Sequence, residues 1–183
     1  LLVEAVTSTL LAPASAPMLQ STPSFFISAM ARLSSFSPDA AIRALFLFVL
    51  GFCTARFGIL VHAVVLMSTH EHIVLTDPFG VLPDFLRELH RLFALGTKVL
   101  RGWEGPVWDA GKTSVVQLKT PEAIIEKIAY CMANPVAAGL VRTASEWPGL
   151  TTAPADLGRA VLEAARPEIF FDPDNAQWPD RVE

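Results

Sequence analysis

The sequence is poor in charge: Asp, Glu, Lys and Arg make up 17% of its 183 residues, and the formal net charge is -4. No chain-wide basic field exists to draw nucleic acid, so any polyanion site must be a local patch. Cysteine is scarce too. Cys53 and Cys131 are the two present, each inside an apolar run and in no CxxC spacing, which excludes a disulfide framework and predicts packed thiols in the cytoplasm. The first 31 residues contain no Lys or Arg, so the positive start of a secretory signal is missing and export is not expected. A long hydrophobic run is missing as well. The apolar stretch 44–55, bracketed by Arg43 and Arg56, is about twelve residues against the roughly twenty that span a bilayer. It reads as a buried core helix, with no membrane partner.

What is present is apolar material: 52% of residues are hydrophobic, enough for one sizeable core, and the length favours one domain. Residues 1–37, rich in Ser, Ala, Thr and Pro, specify little, and 25–30 is their one strand-like run. Ser37-Pro38-Asp39 then supplies cap and first-turn chemistry for a helix whose apolar residues recur from Ile42 to Cys53 and stop at Gly58. Two strands are predicted at 59–67 and 70–76, joined by the short polar Ser68-Thr69. An amphipathic helix is predicted over 82–100, a strand over 114–118, and a third helix from Thr120-Pro121-Glu122 toward Asn134. From 148 to 183 the chain reads as an extended tail with one short helix near 156–165. With a strand at 25–30, this order gives an α+β domain: a four-stranded antiparallel sheet with helices on one face.

Few residues could carry chemistry. His70 and His72 stand two apart on a predicted strand, so both imidazoles leave the same face and can reach one metal ion. Two unliganded histidines fit the same spacing. Tyr130 is the sole tyrosine, and Asn134 lies four residues on, hence one turn later on the same helix face, where its amide oxygen could join an ion that Tyr130 approaches. A core tyrosine and a helix-ending Asn before Pro135 fit as well. His62 and His90 are read as structural. From Phe85 to Lys119, six Lys/Arg stand against Glu88, Glu104 and Asp109, a mildly basic stretch that either contacts phosphate or is simply a solvated face.

Three segments then meet a known family in the correct order. VHAVVLMSTHEHIVL at 61–75 resembles the HAYVLMPNHVHLL segment of the REP-associated tyrosine transposases, single-tyrosine HUH transposases of small insertion sequences. LPDFLR at 82–87 resembles their LPxFMR helix, and YCMANPVAAGLV at 130–141 resembles their YIxxNPVRAGLV helix. The resemblance implies a ferredoxin-like catalytic domain, here 38–147, that acts on single-stranded or hairpin DNA through a 5′-phosphotyrosine. It implies Tyr130 as nucleophile and His70, His72 and Asn134 as ligands to a divalent ion, Mg²⁺ or Mn²⁺. Lys127, with Arg87, Arg91 and Lys112 of the basic stretch, is the expected DNA contact. A homodimer is left open.

The departures from the family pattern are local. Glu71 stands between the histidines where the family has a bulky hydrophobe, so a buried carboxylate without a partner is expected, at a cost of several kcal/mol. Thr69 replaces an Asn before His70, which puts the turn geometry in question. The N-terminal segment lacks the family's opening strand followed by Arg-rich sequence. Glu71 and the N-terminus favour a second reading, a catalytically inactive DNA-binding remnant of such a transposase.

Overall fold

A computed structural model describes residues 22–32, 36, 38–158 and 162–183. Most of the segment 1–37, including Ser37, and residues 159–161 of the expected short helix lie outside the described residues.

The chain runs β1 (Ser24–Ala31), α1 (Ala40–Phe57), β2 (Leu60–Leu66), β3 (His70–Thr76), α2 (Leu82–Arg101), β4 (Trp108–Leu118) and α3 (Pro121–Ala137). The four strands form one sheet in the order β2-β3-β1-β4, and every neighbouring pair is antiparallel. This is the ferredoxin-like arrangement. The strand-like run at 25–30 is β1, and it occupies the centre of the sheet, paired to β3 on one side and β4 on the other.

Each helix begins and ends where its local chemistry allows. The Asp39 carboxylate accepts from the Ile42 N–H at 2.8 Å, and α1 stops at Gly58 in the left-handed region, φ 68°, where glycine has no Cβ to clash. Before α2 the buried Asp77 carboxylate accepts from the backbone N–H groups of Phe79, Val81 and Leu82, holding the turn and meeting the first donor of the helix. Thr120 caps α3 by accepting from the Ala123 N–H.

The helices divide between two faces of the sheet, which corrects the one-face expectation. α1 and α2 pack on the face carrying Ile27, Val64, Leu66, Ile73 and Leu75. α3 crosses the opposite face, where Ile128, Cys131 and Met132 meet Ala63, Val65 and Val74. The reason lies in β2 and β3, whose consecutive residues 63–66 and 73–75 are all buried. Strands apolar on both sides require cover on both sides.

α1 is long and apolar enough to cross a bilayer by length and composition, but its apolar side chains are used within the protein. Phe46 meets Phe93 of α2 at 4.8 Å between ring centroids, and a Cβ on Gly96 of α2 would lie 2.6 Å from Leu45, so the two helices cross closely. The outer side of α1 is covered by the C-terminal region, which is packed rather than loose: Phe171 sits on Phe48 and Trp178 on Phe52. Its described part holds a short pair of strands, β5 (Ala164–Ala165) and β6 (Arg181–Val182), and a 3₁₀ turn at Pro154–Asp156 where the short helix was expected to begin. The Leu66 N–H donates to the Leu150 carbonyl at 2.8 Å and the Thr152 N–H to the Val64 carbonyl at 2.9 Å, so this region also covers the outer edge of β2. Both cysteines are free and buried, and burial pushes each thiol up to about 12, which leaves them unreactive.

Candidate active site

Alternation along β3 sends His70 and His72 to the face crossed by α3, and the helical period of α3 brings Tyr130 and Asn134 to them. The two imidazole centroids are 4.8 Å apart, and the Tyr130 ring meets His72 edge-on at 5.2 Å. Asn134 is buried and its side chain hydrogen-bonds His70. Tyr130, by contrast, is 46% exposed, so its phenol is open to a substrate while the groups behind it are held.

Two supporting residues were not legible from motifs. Phe26 of β1 stacks on His72 at 5.2 Å with 24° between the planes and meets Tyr130 edge-on at 5.9 Å. Period-2 alternation marks Phe26 as facing one side of its strand, but only the pairing of Ser28 with His72 makes that side the histidine side. Thr69, the departure before His70, shares a 3.1 Å hydrogen bond between its hydroxyl and His70 Nδ1. The turn itself closes normally, with the Met67 N–H donating to the His70 carbonyl at 2.8 Å. Thr69 thus orients the ring it precedes.

Burial favours the neutral form of both histidines. Burial lowers His70, opposed by the hydrogen bond its ring donates to Asn134. Burial and then the charge of His70 push His72 down to about 4, against a hydrogen bond with the Ile27 backbone. A neutral imidazole offers a lone pair, and His72 Nδ1 is a buried nitrogen without a hydrogen-bond partner. Among the described residues no three His, Cys, Asp or Glu side chains are grouped to hold a metal ion. Two imidazoles and one amide oxygen are the groups here that could hold a divalent ion.

The four basic residues singled out from the sequence are not brought together. Lys127 joins the site: its Nζ lies 5.8 Å from the Tyr130 ring centroid and 5.6 Å from that of Phe26, with Glu126 at 3.0 Å. Lys112 is on the edge strand β4, paired with Asp109 at 2.9 Å. Arg87 and Arg91 lie on α2, across the sheet from Tyr130, and pair with Asp84 at 2.7 Å and Glu88 at 2.9 Å.

Glu71 corrects an expectation. It is 0% exposed, as alternation requires, but it is partnered: Oε1 lies 2.7 Å from His90 Nε2. His90, on α2, is held in turn by Trp108, whose indole N–H donates to the His90 carbonyl at 2.8 Å. Glu71 Oε2 has no partner.

No family model and no curated protein matches the sequence. Among solved structures, the chain is similar to a REP-associated tyrosine transposase bound to a REP hairpin, with a TM-score of 0.62 at 19% identity over 75% of this chain and 80% of that one. A provisionally named transposase from Deinococcus radiodurans R1 aligns at a TM-score of 0.44 and 16% identity, over 65% of this chain and 91% of that one. The likeness to the REP-associated transposase is one of fold, an α+β domain built on a four-stranded antiparallel sheet.

Proposed function

We propose that the chain is a transposase-type endonuclease and strand transferase that cuts single-stranded or hairpin DNA in the cytoplasm, with Tyr130 as nucleophile and a divalent ion, Mg²⁺ or Mn²⁺, as cofactor. One observation carries the reading. A single strand face and one helix turn bring together two neutral imidazoles, an amide and a half-exposed phenol, on a fold shared with a transposase bound to a DNA hairpin.

The step is a phosphoryl transfer. Tyr130 Oη attacks a backbone phosphorus, the O–P bond to tyrosine forms, and the bond to the 3′-oxygen breaks, leaving a 5′-phosphotyrosine and a free 3′-OH. The phenolic proton leaves to solvent and the departing oxygen takes one up. Since the phosphotyrosine keeps the energy of the diester, the 3′-OH of another strand can reverse the step. A divalent ion held by His70, His72 and Asn134 would neutralise charge on a non-bridging phosphate oxygen. Phe26 and Thr69 fix the two imidazole planes, and Lys127 offers a cation beside the phenol for a phosphate oxygen.

An inactive remnant is the less favoured reading, because Glu71 has a partner and β1 supplies an opening strand paired on both sides. The test is to incubate labelled single-stranded hairpin DNA with protein and Mn²⁺ and to resolve the products on a denaturing gel. A covalent adduct is expected with Mn²⁺, none with EDTA, and none for Tyr130→Phe. An adduct that survives Tyr130→Phe contradicts the assignment.

A further inference from the structure

We infer that the Glu71–His90 contact is a register pin for β3, so that Glu71 and His90 are positioning residues for the two histidines of the site. This rests on the assignment of His70 and His72 proposed above.

The need for a pin follows from the strand itself. Strand register is normally set by one apolar and one polar face, because a slip of one residue exchanges the faces. In β3 that signal is weak, since Ile73, Val74 and Leu75 are each fully buried and equally apolar. A slipped strand would still bury its apolar half. What it could not do is keep His70 and His72 under α3. The information that separates the two registers therefore lies in the polar residues.

Glu71 supplies it. In the observed register it sits between Ala29 of β1 and Leu66 of β2, facing α2, where His90 Nε2 waits at 2.7 Å. His90 is fixed independently by its backbone bond to Trp108 and by ring contact at 4.4 Å. Any slip removes the buried carboxyl from this one partner, an outcome that leaves a buried polar group unmet and is strongly disfavoured. A buried polar group that specifies one alignment at some cost in stability is a known use of such groups.

The pin is tested with Glu71→Leu/His90→Leu beside the isosteric Glu71→Gln, which keeps a hydrogen bond to His90. Three quantities are read: the melting midpoint, the cross-strand NMR contacts of His72 with Ser28 and Val65, and Mn²⁺ affinity by titration. The double variant should melt no lower than the parent but show weakened or doubled cross-strand contacts and at least about tenfold weaker Mn²⁺ binding, the scale of losses seen when a ligand's support is removed. Glu71→Gln should keep both. A double variant with parental contacts and parental Mn²⁺ affinity overturns the pin, as does a folded Glu71→Gln that loses them. If the parent itself binds no Mn²⁺, the metal reading fails, and the cross-strand contacts alone decide the pin.

Discussion

On one face of β3 the carboxylate of Glu71 is sealed beneath α2 with a single imidazole against it, and on the other His70 and His72 stand beside an amide and a phenol. Both groups are polar clusters inside a largely apolar protein. They differ in what lies beyond them. Past Glu71 come His90 and Trp108, both partly buried against the core, whereas past His72 comes Tyr130, nearly half exposed. A polar cluster whose acid is fully buried and whose imidazole is only slightly exposed holds the fold, while one with a half-exposed member can act on something from solution. Burial of polar residues therefore does not mark the reactive face; the route outward does.

The comparison breaks most visibly in the histidines. His70→Ala or His72→Ala should each abolish metal-dependent cleavage while the protein stays folded, and a gel assay of either variant with Mn²⁺ checks this. On the closed face the expected loss is one of stability. His90→Leu leaves a fully buried carboxylate with neither oxygen met, a loss of about 3 kcal/mol. Glu71→Leu leaves an imidazole that can still reach water, a loss of about 1 kcal/mol. Urea melts of the two variants should keep that order, and a larger loss for Glu71→Leu would mean that His90 is the more enclosed partner.

Acid should act on the open face. The folded protein resists protonation of His72, held down to about 4, while the unfolded chain takes up the proton near its ordinary value of about 6.5. Its contribution is thus complete above about pH 6.5 and fades as pH falls toward 4, about 2 kcal/mol of it by pH 5. Metal-free melts at pH 7 and pH 5 should show this slope in the parent and a flatter one in His72→Gln. Equal slopes would place the acid sensitivity elsewhere. The smallest effect concerns DNA. Lys127→Ala should reduce the salt dependence of binding by about one counterion, whereas Arg87→Ala and Arg91→Ala, on the far side of the sheet, should leave it unchanged.

The strands, apart from the first half of β4 at 108–113, the three helices and the pairing of His70 with His72 were legible because each is a local pattern: period two, period 3.6, or an i, i+2 spacing. Asp39 and Thr120 announced their helices by cap chemistry. The central place of β1 was less legible, because a strand of mixed Phe, Ser and Ala carries a weak pattern and its partners lie 40 to 90 residues away in sequence. His90 was hidden as the partner of Glu71 at a separation of only 19 residues. Sequence spacing fixes which face a side chain leaves, but the helix that arrives on that face is a tertiary outcome. The division of helices between two faces could have been read from the unbroken apolar runs at 63–66 and 73–75.

The central claim is that Tyr130 attacks DNA. It is tested most directly by digesting the protein after reaction with single-stranded hairpin DNA and Mn²⁺, and locating the bound nucleotide by peptide mass spectrometry. A phosphodiester-linked nucleotide on the peptide containing Tyr130 is the expected result, and cleaved DNA with an unmodified Tyr130 peptide and the nucleotide on another residue would contradict it.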